Sequence, residues 1–308
     1  MKKAGLLAII LLVLQQTVTF AQCCSMGNPL AGLTYSGNTG KGQFQLNVYF
    51  KHGFNETYFR KNVRLINYGL YSYSAYDFAG LAFSYGISNR ISIEHETGYY
   101  IRKEIHFNEP ELEALVRSAY GLSNGIISGR YQFLPDKPGR TGLAGGVGLR
   151  YPFRRDLFQI SNVELPIEIQ PSTGAFGVLF QLFVTHELKS GIKFNFSQRS
   201  EFNFRNKYDY LYGNMHTSTI AVSGRLYRML FAQFTIRNEY KRTDKSPTGA
   251  KLASEGSDLI IASPKLGMQL PKGLHLSVFG DFPLFKYYFG EQLSMQYAAG
   301  VSLSKAFK

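Results

Sequence analysis

The stretch GIKFNFSQRSEFNFR, residues 191–205, alternates apolar and polar side chains without a break in its flanks. Ile192, Phe194, Phe196, Phe202 and Phe204 fall on one face. Lys193, Asn195, Ser197, Arg199, Glu201, Asn203 and Arg205 fall on the other. Side chains of a strand alternate with a period of two, so this pattern predicts a strand with one greasy and one polar side. QFQLNVYFK, 43–51, repeats it, with Phe44, Leu46, Val48 and Phe50 against Gln45, Asn47, Tyr49 and Lys51. So does NRISIEHETGYYI, 89–101, with Ile91, Ile93, Tyr99 and Ile101 against Ser92, Glu94, Glu96 and Gly98. A globular strand usually runs about 5–6 residues. These runs are longer and match the roughly 9–11 residues of a tilted strand that crosses a bilayer.

Twelve such segments are predicted: 42–52, 75–87, 90–103, 117–133, 140–153, 172–188, 191–205, 216–228, 230–241, 257–269, 273–283 and 292–307. Tight connections at 88–89, 134–139, 189–191, 228–230 and 270–273 alternate with longer polar ones near 53–74, 104–116, 154–171, 206–215, 242–256 and 284–291. Short turns at one end and long loops at the other are the pattern of an outer-membrane barrel. In lipid every backbone N–H and C=O needs a partner within the protein, and only a closed barrel supplies one for every strand edge. The expected fold is therefore all-β, a single antiparallel transmembrane β-barrel of about 12 strands over 42–308, with a polar lumen and both termini on the short-turn, periplasmic side. The rival, a secreted β-sandwich, also alternates but predicts shorter strands.

Lys2 and Lys3 precede an apolar run, 4–14, and Thr19 and Ala21 stand at −3 and −1 of a cleavage site. Residues 1–21 read as a secretory signal peptide, and 22–41 as an N-terminal periplasmic tail. The apolar run is too short for a membrane helix. Export and the lack of any block of five basic residues argue against nucleic acid as the partner of this basic chain, whose net charge is +13. The partners expected are outer-membrane lipid, the barrel-assembly machinery and a small-molecule solute. The chain has 25 Phe and 21 Tyr and no Trp, so Phe and Tyr are left to form the interfacial girdles.

The two cysteines, Cys23 and Cys24, are adjacent and open the tail. A metal site needs three or four ligands, and no histidine is near. The readings left open are a tail without chemistry, a vicinal disulfide in an oxidising compartment, and capture of a soft metal by the pair. Gln22 argues against lipidation of Cys23.

The last segment, LSMQYAAGVSLSKAFK, sends Leu293, Met295, Tyr297, Ala299, Val301, Leu303 and Phe307 outward and Ser294, Gln296, Ser302 and Ser304 inward. Outer-membrane barrels end in such a strand with a terminal aromatic; here Lys308 follows Phe307. Several pieces resemble the family of outer-membrane barrels named for the meta-cleavage pathway of phenol degradation, which is distantly like the long-chain fatty-acid channel. They are GLSNGIISGRYQFLP (121–135), LAGGVGLRYP (143–152), IQPSTGAFGVLFQLFVTHEL (169–188), IASPKLGMQL (261–270) and FGDFPLFKYYFGEQL (279–293). The resemblance covers 121–308 and implies a channel or transporter for small, aromatic or hydrophobic compounds. It does not carry a substrate over.

Ionisable side chains on the polar faces are the candidates for the lumen lining: Glu94, Glu96, Arg130, Arg150, Lys193, Arg199, Glu201, Arg205, Arg225, Arg237, Glu239, Lys265 and Asp281. Turning an Arg or Lys toward lipid costs roughly 2–4 kcal/mol near the midplane. Facing inward, these groups either pair across a narrow lumen or line a path that favours anions. Tyr71, Tyr73, Tyr76, Tyr208, Tyr210 and Tyr212 cluster at long-loop ends. They read either as a capture surface at the mouth or as an outer girdle. Pro283 locally breaks strand pairing near the top of its segment.

His216 and Ser218 share one face of a strand, the spacing of a hydrolytic pair. No glycine turn or orienting residue accompanies them, and no nucleotide, zinc-protease or calcium motif occurs. No catalytic residue and no cofactor are expected. The leading expectation is a passive channel for small solutes; the alternative is a structural or surface-interaction barrel with a plugged lumen.

Overall fold

The computed structural model describes residues 39–66, 68–108 and 116–307. The predicted signal peptide, most of the tail and both cysteines lie outside these residues.

The long alternating runs pair into one antiparallel wall. Its strands are β1 (Phe44–Lys61), β2 (Tyr71–Gly86), β3 (Ile91–Phe107), β4 (Val116–Leu122), β5 (Asn124–Leu134), β6 (Thr141–Pro152), β7 (Gly177–Glu187), β8 (Lys193–Asn203), β9 (Met215–Tyr227), β10 (Leu230–Lys241), β11 (Ser257–Leu270) and β12 (Leu274–Phe307). Each pairs with its neighbours in chain order, β4 and β5 both lying against β3. β12 is one extended run that crosses the wall twice. Its first part pairs with β11 from Leu274 to Tyr288, and its second with β1 from Tyr288 to Phe307. Ser277 and Ser302, 2.7 Å apart through their hydroxyls, show the two limbs side by side. The barrel thus closes with about 12 strands.

Closure sorts the residues as alternation demands. Val48, Phe50, Ile93, Ile101, Leu149, Phe180, Phe196, Ile220, Phe234, Val278, Val301 and Leu303 are exposed on the outside. Their inward neighbours Tyr49, Lys51, Glu94, Arg199, Ala221, Thr235, Ser277 and Ser302 are buried. A continuous apolar rind around a polar interior is stable only where lipid covers the rind.

The strands rise further at the long-loop end than alternation predicted. β1 runs to Lys61, β3 to Phe107, and the expected loop 284–291 is extended backbone within β12. Beyond the apolar band the two faces no longer contrast in polarity, so alternation fades. Backbone pairing continues regardless. Register shifts near Phe54 and Tyr58 turn Leu293 and Met295 inward, where they are buried, whereas Tyr297, Val301, Leu303 and Phe307 keep the predicted outward placement. Pro283 lies beside the register shift between Ile260 and Ile261, where the local break was expected.

The loop 153–176 folds back over the mouth. Its Phe158, Leu165 and Ile169 pack with Tyr58, Tyr71, Ile105, Ala119 and Leu293 of the wall in one apolar cluster. Gln170 ties the two limbs of the loop together. Its Oε1 accepts from the Phe158 N–H at 2.6 Å and its Nε2 donates to the Leu165 carbonyl at 2.8 Å. Lys103 of β3 anchors the loop by donating to the Gln170 carbonyl at 2.9 Å.

Candidate functional site: the lumen

The lumen has three levels, set by the size of the inward side chains. At the short-turn end these are small: Ala82, Ser84, Ser197, Thr219, Ala221 and Ser304. They leave a cavity of about 360 Å³. Glu94, Glu96, Phe183, Lys265, Phe231 and His275 also face it.

Above the cavity the inward side chains are large and fill the lumen. Tyr49, Tyr76, Phe78, Tyr100, Ile126 and Leu179 form an apolar cluster. Two ionic networks sit among them. In the first, Arg199 binds Glu96 at 3.0 Å and Glu201 at 2.8 Å, and Arg150 binds Glu201 at 2.5 Å. In the second, Asp281 receives Lys51 at 2.7 Å and Arg237 at 3.2 Å, while Arg237 also reaches Glu239 at 2.6 Å. Arg130 binds Glu94 at 2.9 Å and stacks on the Phe183 ring, 3.8 Å from its centroid. A bare charge is costly here, so opposite charges are held in contact and hydrogen-bonded. This layer and the tyrosines pack together at mid-height of the lumen.

The third level is the mouth. Asp244 collects the Tyr210 hydroxyl at 2.8 Å, the Gly213 N–H at 2.7 Å and Lys241 at 3.1 Å. Lys241 also approaches Glu255 at 3.7 Å. Glu168, in the turn Ile167–Ile169 of the covering loop, lies against Glu255. Burial pushes the Glu168 carboxyl up from 4.5 to about 7, and burial also raises Glu255. Burial first, and Asp244 second, raise the Tyr210 hydroxyl.

Most of the predicted lumen residues therefore gather into paired networks: Glu94, Glu96, Arg130, Arg150, Arg199, Glu201, Arg237, Glu239 and Asp281. Lys193 pairs with Asp136 at 2.6 Å near a short turn. Arg205 and Arg225 are exposed. Arg205 lies past the end of β8 and donates to the Asp209 carbonyl, so it belongs to a loop. Lys265 faces the cavity and, among the described residues, its side chain has neither a hydrogen bond nor an ion pair.

The tyrosines divide. Tyr76 is deep in the lumen, 3% exposed, because it is an inward position of β2 and not part of a loop. Tyr71 is buried under the covering loop. Tyr73 stacks on His106, ring centroids 3.9 Å apart, and lies 5.6 Å from Phe54. Tyr210 and Tyr212 meet edge to face at 4.8 Å beneath the loops, and Tyr208 is exposed. They form no single surface.

Lys51 was not among the predicted lumen residues, although its place on the polar face of 43–51 was signal enough. Nor were Lys103, Glu168, Lys241, Asp244 and Glu255. All lie at strand ends or in loops, where no period marks a face. His216 Nδ1 sits 3.0 Å from Ser200 Oγ, and Ser218 donates to Gln198, so His216 and Ser218 do not pair with each other.

No protein-family model matches the chain, and no curated protein matches it in sequence. Among solved structures it is similar to an outer membrane channel from Pseudomonas putida F1, with a TM-score of 0.69 at 9% identity over 91% of this chain and 100% of that one. It is also similar to the β domain of the Bordetella autotransporter BrkA, with a TM-score of 0.50 at 10% identity over 87% of this chain and 100% of the other. At such identities the likeness speaks for the fold, and the fold is that of an outer-membrane β-barrel.

Proposed function

We propose that the chain is a passive outer-membrane channel for small solutes, held in a closed state by the mid-lumen layer and the covering loop. The observation that carries this reading is the polar cavity inside a sealed apolar cylinder. A purely structural barrel gains nothing from a chamber of about 360 Å³ lined by hydroxyls and amides. A channel needs one, and needs ionic partners that can exchange with a solute's own charges. The channel from Pseudomonas putida F1 shares the fold along nearly the whole chain, which supports the reading. Small, aromatic or hydrophobic compounds, the class implied by the sequence resemblance, suit the aromatic walls at Phe183 and Phe231. Assembly fits the same picture: the last strand, ending at Phe307, pairs with β1 to close the wall, as a segment read by the barrel-assembly machinery would.

Planar-bilayer recording of the purified chain tests the proposal. Discrete conductance steps in 1 M KCl are expected, and they should occur more often after the loop tip, residues 157–169, is replaced by a short Gly-Ser linker. A folded barrel that stays silent in both forms supports the structural alternative instead.

A further inference from the structure

Lys265 differs from every other cation deep in this lumen. Arg130, Arg150, Arg199, Arg237 and Lys51 each contact a carboxylate. Lys265, at an inward position of β11, contacts none among the described residues. Gln233, its direct cross-strand neighbour, donates its amide to Thr235 at 3.0 Å and leaves the ammonium alone. On the other side it pairs in register with Phe279. The other titratable groups around the cavity do not neutralise it. Glu94 and Glu96 are taken by Arg130 and Arg199, at 2.9 Å and 3.0 Å. Lys305 holds its ammonium 4.6 Å over the Phe307 ring, and His275 packs edge to face with Phe231 at 6.1 Å. Lys265 is therefore a cation at the cavity wall whose side chain has no carboxylate partner among the described residues.

The walls define the remainder of a ligand. Phe183 and Phe231 present rings to it. About 360 Å³ is far more than a halide fills. A second negative charge on a guest would face Glu94 and Glu96. We infer that this chamber is a binding site for a small organic monoanion, a carboxylate on an apolar or aromatic body, with Lys265 as its counter-ion. The inference rests on the channel reading for its purpose and on the chamber alone for its chemistry.

Calorimetric titration of the full chain in detergent, at low chloride, tests it with sodium benzoate and its neutral analogue benzamide. Benzoate is expected to bind at least tenfold more tightly than benzamide. Lys265→Met should bring benzoate down to the benzamide level while heat-modifiable gel mobility stays that of a folded barrel. Equal affinity for the two probes, displacement of benzoate by equimolar chloride, or unchanged benzoate binding in Lys265→Met overturns the site. Conductance in KCl is read separately. A conducting barrel without benzoate preference loses only the site, and a silent barrel that binds benzoate through Lys265 loses only the channel.

Discussion

The ring of Tyr49 lies over Gly80, its direct partner across the β1–β2 pairing. Four residues further along β1 the relationship is reversed: Tyr76 of β2 covers Gly53. Each glycine leaves the space that a Cβ would take from the ring. The two tyrosines can then lie flat against the wall and fill the lumen from one side. Gly80→Ala places a methyl inside the Tyr49 ring position and forces the ring away. Overpacking of this kind costs about 1–3 kcal/mol. A lower urea midpoint in detergent is expected, with a larger conductance because the displaced ring belongs to the mid-lumen layer.

Arg237 is the hub of the second ionic network, in contact with both Glu239 and Asp281. Arg237→Met leaves Glu239 buried without its cation, while Asp281 keeps Lys51. Removing one partner of a buried ion pair typically costs about 3–5 kcal/mol. The double variant Arg237→Met with Glu239→Gln should recover much of that loss in equilibrium unfolding. Failure of the second substitution to recover stability would show that the guanidinium acts through packing and not through charge.

Docking of the covering loop should weaken as pH rises. The Glu168 carboxyl is raised from 4.5 to about 7 by burial. A carboxyl whose folded value lies above its unfolded value favours the folded arrangement fully below the lower value and loses that contribution as pH climbs through the higher one. The window is therefore about pH 4.5 to 7. Open time in bilayer recordings is expected to increase between pH 5.5 and pH 8.5. Glu168→Gln, neutral throughout, should hold the loop down and flatten that dependence.

Thr219 and Ile220 are adjacent in β9 and face opposite worlds. Ile220 is 59% exposed on the rind, and Thr219 lines the cavity. Ile220→Arg is expected to destabilise the barrel in lipid vesicles by roughly 2–4 kcal/mol. Thr219→Arg should cost less, since its charge reaches the polar chamber, and should reduce conductance by filling it. Equal losses of stability would contradict the assignment of faces.

The wall was legible because its signal is local. Alternation over 191–205 assigned Phe196 to the rind and Arg199 to the lumen with no knowledge of any partner, and lipid leaves such a chain no option but closure. The top of the barrel was less legible. Leu293 and Met295 continue the alternation on paper, yet two register shifts turn them inward. The covering loop is not periodic, so nothing in 153–176 announced that Phe158, Leu165 and Ile169 would fill the mouth.

The sequence by itself determined an alternating, closable sheet and most of the charges that hide inside it, because side-chain period and lipid solvation act residue by residue. Only the tertiary structure decided which of those charges meet. Glu96 and Arg199 stand 103 positions apart and touch because closure sets the shear of the wall. The same geometry places Lys51 on Asp281 and leaves Lys265 facing the chamber.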